Sequence, residues 1–96
     1  MVSSGDPASL FIVREARAGH DLRYKGVARQ MAAAAASFPG FMAARHSSPA
    51  SGDTYHITML QFESVEALRL WEESPERQRW LQKVEEVAHP AKLATH

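Results

Sequence analysis

The 96 residues carry 11 Lys plus Arg against 11 Asp plus Glu, are 45% apolar and include no cysteine. A chain of this length makes one core, burying roughly two thirds of the surface its unfolded form exposes. Balanced charge offers no field for a phosphate backbone, no apolar run reaches the ~20 residues of a membrane span, and disulfides, thiolate metal sites and thiol nucleophiles are excluded.

Residues 1–8 are rich in Ser, Gly, Asp and Pro, the composition of a flexible leader; a secretory signal needs a basic then an apolar stretch. A cytoplasmic location is the default expectation, and residues 9–96 are read as a single domain. Leu10-Phe11-Ile12-Val13, running on through Arg14 to Arg17, is β-branched and aromatic and reads as a strand. Four consecutive apolar residues point alternately to both sheet faces, so both need cover, the first hint of a partner subunit.

From about Asp21 to Ser37 the chain is Ala-rich, with Leu22, Val27, Met31, Ala35 and Phe38 near helical spacing and Asp21 placed to cap or to sit in the first turn. Gly26 costs such a helix up to ~1 kcal/mol relative to Ala, which suggests a close approach to the sheet there. Pro39-Gly40 ends the helix. Phe41–Ser47 and Thr54–Phe62 read as the arms of an antiparallel hairpin around Ser48–Asp53. Ser64 caps a helix with Val65, Leu68 and Trp71, and Ser74-Pro75 starts another that carries Trp80, Leu81, Val84 and Val87 on one stripe and Arg77, Arg79, Gln82, Lys83, Glu85 and Glu86 on a solvated side. The tail from Ala91 is weakly strand-like. The order is β-α-β-β-α-(β), a ferredoxin-like split βαβ arrangement of α+β class, with helices on one face of an antiparallel sheet.

Arg14 to Gly19 before a helix, Ser37-Phe38-Pro39-Gly40-Phe41, a strand ending Gln61-Phe62-Glu63-Ser64, and Ala67-Leu68 to Trp71 followed by Ser74-Pro75-Glu76-Arg77 together resemble the antibiotic biosynthesis monooxygenase (ABM) domain over residues 9–88. The resemblance implies a protomer whose open sheet face pairs in a homodimer, forming a dimeric α/β barrel with the helices outside. It also implies a pocket between helices and sheet that oxidises aromatic polyketide phenols to quinones with O2 and no cofactor. Cyclases and isomerases share the fold, as does a haem-degrading branch. The sequence departs from that branch: the first strand has no Asn, Phe62 stands where a Trp is expected and Leu81 where the ligand His would fall, so haem degradation is disfavoured. The Asn associated with quinone formation has no counterpart, because the chain contains none.

A hairpin symmetric about Ser51 sets His46 directly across from His56, on one face with Met42, Ala44, Thr58, Leu60 and Phe62. The pair can supply a general base near neutral pH, or can be a partly exposed cross-strand pair; it makes a poor metal site without a third ligand. Arg14 and Arg45, inside strands, need an acid partner such as Glu15 or Glu63, or else a cavity where either can steady an enolate or phenolate oxygen. Tyr24, Phe38, Phe62, Trp71 and Trp80 can wall a flat cavity or simply fill the core; Tyr24 and Trp71 are the better candidates for a pocket, and Met31 and Met59 read as gap fillers. No phosphate loop, nucleophile elbow or H-E-x-x-H pair occurs.

The reading is a homodimeric, cofactor-independent monooxygenase, or related cyclase or isomerase, acting on a small apolar or aromatic polyketide-like substrate. His46, His56 and Arg14 are its candidate catalytic residues; Tyr24, Phe62, Trp71 and Arg45 are its candidate substrate-binding residues, and no metal or cofactor is called for. The alternative is a non-catalytic dimeric ligand-binding or interaction module of the same fold.

Overall fold

A hairpin is extended on one side by the first strand and then by the last strand to make one sheet, described by a computed structural model over residues 6–95. The elements are β1 (Ala8–Glu15), α1 (Asp21–Ala35), β2 (Phe41–Ser47), β3 (Tyr55–Phe62), α2 (Val65–Glu72), α3 (Pro75–Val87) and β4 (Leu93–Thr95). The sheet order is β2-β3-β1-β4 with every neighbour antiparallel, which is the ferredoxin-like arrangement of an α+β domain. The weak C-terminal strand signal corresponds to β4, which pairs with β1 through Phe11–Thr95, Ile12–Ala94 and Val13–Leu93. Most of the expected leader, residues 1–5, lies outside the described residues, and β1 already begins at Ala8.

Alternation along each strand separates two faces. Leu10, Leu60 and Phe62 point to the helix side and are buried with Leu68, Trp71, Val84 and Val87 in one core. On the opposite side Phe11 and Ile57 stay exposed, beside Met59 and among the polar Ser9, Arg45, Ser47 and Gln61. Both helix starts after the hairpin are capped as their sequences suggest: the Ser64 hydroxyl accepts from the Ala67 amide at 3.1 Å, and the Ser74 hydroxyl from Arg77 at 3.1 Å, with Pro75 opening α3. Ser74 also donates to the Trp71 carbonyl at 2.7 Å, so one serine ends α2 and begins α3.

Several expectations shift. The buried stripe of α1 is Tyr24, Ala28, Met31 and Ala35, whereas Leu22 is 85% exposed; the inward face is set by where the tyrosine can bury its ring, not by the first leucine. Gly26 meets nothing within 4 Å, and the glycine under real steric pressure is Gly40, where φ is +84° and an added Cβ would lie 2.7 Å from the Ala67 Cβ. The hairpin centres on Gly52 rather than Ser51, because Gly52 takes a positive φ of 85° and the Asp53 carboxylate accepts from the Thr54 and Tyr55 amides at 2.7 and 3.2 Å. His46 therefore pairs with Thr58, and His56 pairs across β1 with Arg14. A bulge between Phe41 and Ala43 turns Met42 outward, 52% exposed, and gives its expected place to Phe41, whose ring meets Phe62 edge-on at 5.6 Å. The outer side of α3 is not wholly solvated: Arg77 is half-buried and donates to the Glu72 carbonyl at 3.1 Å, and the Lys83 ammonium sits 4.8 Å over the Trp80 ring.

Gly40→Ala combines a left-handed backbone with a clash against Ala67 and is expected to cost about 2 kcal/mol or more in urea denaturation. Gly26→Ala, in open space on the helix, is expected to add up to ~1 kcal/mol.

Candidate functional site

The first turns of α1 lie over the loop end of the β2–β3 hairpin, and there four polar side chains link up. The His46 Nδ1 is 2.9 Å from the Thr58 hydroxyl, the His46 Nε2 is 3.0 Å from the His56 Nδ1, and the His56 Nε2 is 2.8 Å from an Asp21 carboxylate oxygen. Although His46 and His56 are not directly opposed, a register offset of two residues keeps both on the helix face and leaves them diagonal neighbours. His56 is 1% exposed, tolerable because both ring nitrogens have partners. Tyr24 packs edge-on against His56 at 4.9 Å and His46 at 5.6 Å. All four ring nitrogens are engaged within the network, and none is left to bind a metal.

Asp21 carries the carboxylate that the isolated pair lacked. It occupies the first turn of α1, one turn before Tyr24 on the inward stripe, while His20 takes the N-cap position without a side-chain cap. The Asp21–Tyr24–Ala28 spacing was the available signal: i, i+3, i+7 places an acid on the helix face that covers the hairpin. Burial holds His46 neutral, aided by the neighbouring His56, Lys25 and Arg29, and its pKa falls from 6.5 to about 4.

Next to this network, a cavity of about 20 Å³ lies between α1, α3 and the sheet, lined by Ile12, Arg14, Tyr24, Met31, Thr58 and Val84 among others. That is room for one water. A second cleft of about 80 Å³ shares Ile12, Arg14 and Met31 with it and adds Trp71, Arg77 and Leu81. Arg14 thus stands at the wall between the two. Its guanidinium donates to the His89 carbonyl at 3.1 Å, and neither Glu15 nor Glu63 forms an ion pair with it. Burial lowers the Arg14 pKa, with Arg77 acting in the same direction and Tyr24 and Glu85 opposing. Burial likewise raises the Tyr24 phenol, opposed by the charge of Arg14 and a hydrogen bond with Thr58.

The other candidates divide. Tyr24 lines the first cavity and Trp71 the second cleft, where its buried indole N–H has no hydrogen-bond partner. Phe62, fully buried against Phe41, lines neither and belongs to the core. Arg45, between Ala44 and His46, points to the helix-free face beside Phe11 and Met59 and does not join Arg14. Neither histidine lines the two cavities that Arg14 divides; Thr58 and Tyr24 stand between. Phe38 packs edge-on against Trp71 at 5.2 Å.

No protein-family model and no curated protein matches the sequence. Solved structures do match in shape. SnoaB, a cofactor-independent oxygenase of Streptomyces nogalater, superposes with a TM-score of 0.83 at 14% identity over 95% of this chain and 92% of its own. A protein of Nitrosomonas europaea provisionally called an antibiotic biosynthesis monooxygenase gives 0.80 at 13% identity over 99% and 93%, and one of Chloroflexus aurantiacus, provisionally called the same, gives 0.77 at 12% over 94% and 89%. The chain has the ABM-like fold that its sequence resembles.

Because folded His46 resists protonation down to about pH 4 while the unfolded imidazole protonates near 6.5, the unfolded chain binds more protons between those values. Stability therefore rises with pH across that window. The urea midpoint is expected to fall as the buffer goes from pH 7 to pH 5, and to fall less steeply in His46→Gln; equal slopes would remove His46 from the acid response.

Proposed function

We propose that the protein is a homodimeric, cofactor-independent monooxygenase, or a cyclase or isomerase that begins with the same proton abstraction, acting on a small aromatic polyketide-like phenol. The observation that carries the reading is Arg14: a partly buried cation whose hydrogen bond goes to a carbonyl rather than a carboxylate, set at the wall between two cavities. Such a cation is placed to stabilise an oxygen anion, and a low-dielectric site makes that interaction stronger than in water. The unpartnered indole N–H of Trp71 offers a second donor on the same cleft.

In the oxygenase form of the reaction, loss of the phenolic proton gives an electron-rich anion whose ring carbon bonds to O2. One oxygen stays on the ring as the new quinone carbonyl and the other leaves as water, the substrate supplying the electrons. The named activity of SnoaB, the shape match and the Arg14 geometry support this reading together. A homodimer is supported by the exposed Phe11 and Ile57 beside Met59 on the helix-free face, an apolar surface that a second copy would cover.

The cavity volumes favour a second reading. About 20 and 80 Å³ fall well below the ~300 Å³ of ordinary ligand pockets, so an aromatic substrate has to displace a side chain first. Met31, unbranched and shared by both walls, is the side chain whose movement would join them. If it stays in place, the protein is a non-catalytic dimeric module with a filled pocket.

Oxygen uptake with a panel of hydroxylated polycyclic phenols separates the two. The oxygenase consumes O2 with at least one member, and Arg14→Gln, with an unchanged circular dichroism spectrum, reduces that rate by ten-fold or more; a flat trace with every phenol refutes the oxygenase. Sedimentation is expected to give a dimer for the wild type and a monomer for Phe11→Asp.

A further inference from the structure

The candidate base does not touch the cavity it would serve, yet it is connected to it. Three hydrogen bonds join surface to cavity: Asp21 to His56, His56 to His46, and His46 to Thr58, which lines the cavity together with Tyr24 and Arg14. The outer end is open to water, since the Asp21 side chain is 63% exposed, whereas His56 and Thr58 are 1% and 8% exposed and His46 is half-buried.

With Asp21 as a carboxylate and both rings neutral, hydrogen-bond valence allows one direction. Asp21 only accepts, so the His56 Nε2 carries the hydrogen; His56 then accepts at Nδ1, so the His46 Nε2 donates. The His46 Nδ1 in turn accepts from Thr58, whose oxygen is left to accept from a group in the cavity. Every hydrogen points toward Asp21. A chain with one polarity passes a proton by a shift of each hydrogen to its neighbour, with no side chain travelling.

We infer that Thr58, His46, His56 and Asp21 form a proton wire that carries the phenolic proton of a substrate from the cavity to the surface. The inference rests on the functional reading above and adds the exit route. In the transfer the substrate O–H bond breaks and its proton bonds to the Thr58 oxygen. The Thr58 hydrogen passes to the His46 Nδ1, that of the His46 Nε2 to the His56 Nδ1, and that of the His56 Nε2 to Asp21. The substrate is left as an anion facing Arg14, Asp21 is protonated, and every residue between is neutral with its hydrogen moved along. Conversion of a phenol and O2 to a quinone and water takes up no net proton, so the proton returns along the same route when water forms, and the wire is reset. His46 and His56 are here positioning and relay residues. The group that meets the substrate is Thr58, on the cavity wall.

Charged and titratable groups face the wire from every side: Lys25 and Arg29 of α1 approach His46, Tyr24 of α1 packs on both imidazole rings, and Arg14 of β1 lines the cavity beside Thr58. The test accordingly reads hydrogen positions and transfer rather than a pH midpoint. In full-length protein labelled with 15N-histidine, at pH 8, both rings are expected as the Nε2–H tautomer, with Asp21→Ala admitting the Nδ1–H form of His56. The transfer is read with 2-naphthol, whose excited state releases its proton only where an acceptor path exists. Bound to the wild type it is expected to emit as naphtholate; Asp21→Asn and Thr58→Val reduce the naphtholate share of the bound emission ten-fold or more, and Thr58→Ser restores it. An Nδ1–H tautomer on either wild-type ring, or undiminished emission in both cut variants, overturns the wire. If 2-naphthol does not bind, the pocket reading fails by itself, and the tautomer spectra decide the wire: ordered Nε2–H rings that lose their order in Asp21→Ala uphold it, and any other pattern refutes it.

Discussion

The bond between Asp21 and His56 ties the first turn of α1 to the middle of the sheet, and the arrangement of the site depends on it. His56 lies almost wholly out of water, where an imidazole with one unpaired nitrogen would cost a few kcal/mol. Its partners therefore fix which face of α1 turns inward. With Asp21 drawn to the histidine, Tyr24 comes one turn later over the two rings, and Ala28, Met31 and Ala35 follow along the same stripe. The small residues of that stripe let the helix sit close, while Met31 occupies the space that a bulkier ligand would need. Function and core packing share one helix face.

Much of this was legible from residue order because it follows from short-range rules. Period-two alternation put His46, Thr58 and His56 on one face, and that held although the hairpin centre lies one residue further along, since moving the centre by one shifts partners by two. The same rule sets Arg45 on the face opposite Ala44 and His46, which its choice as a substrate-binding candidate overlooked. Serine caps and the proline after Ser74 marked α2 and α3 for equally local reasons. What escaped depends on contacts far apart in the chain. Asp21 and His56 are separated by 35 residues, and although the Asp21–Tyr24–Ala28 spacing sets the acid on the inward stripe, nothing in either segment alone names its partner. Leu22 misled because hydrophobicity suggested the inward face, where the deciding residue was an aromatic ring with a polar tip.

The two sheet faces carry different physics. The helix side buries its apolar residues in one core and links His46, His56, Thr58 and Asp21 to each other, leaving the Trp71 indole N–H unpartnered among the described residues. The opposite side mixes Phe11, Ile57 and Met59 with Ser9, Arg45 and Gln61, with a hydrogen bond from Gln61 to Ser9 at 3.3 Å across the strands. Such a surface resembles the centre and rim of a protein interface more than it resembles an ordinary solvated sheet.

Arg14 is held from outside its own strand. The oxygen that receives its guanidinium belongs to His89, just after α3, and Ala91 of the same stretch borders the neighbouring cleft. The aim of the one cation between the cavities is thus set by the chain as it leaves its last helix. Any change to the stretch that follows α3 acts on this partly buried charge through a single carbonyl, so editing that stretch is, for this molecule, a way of editing its interior.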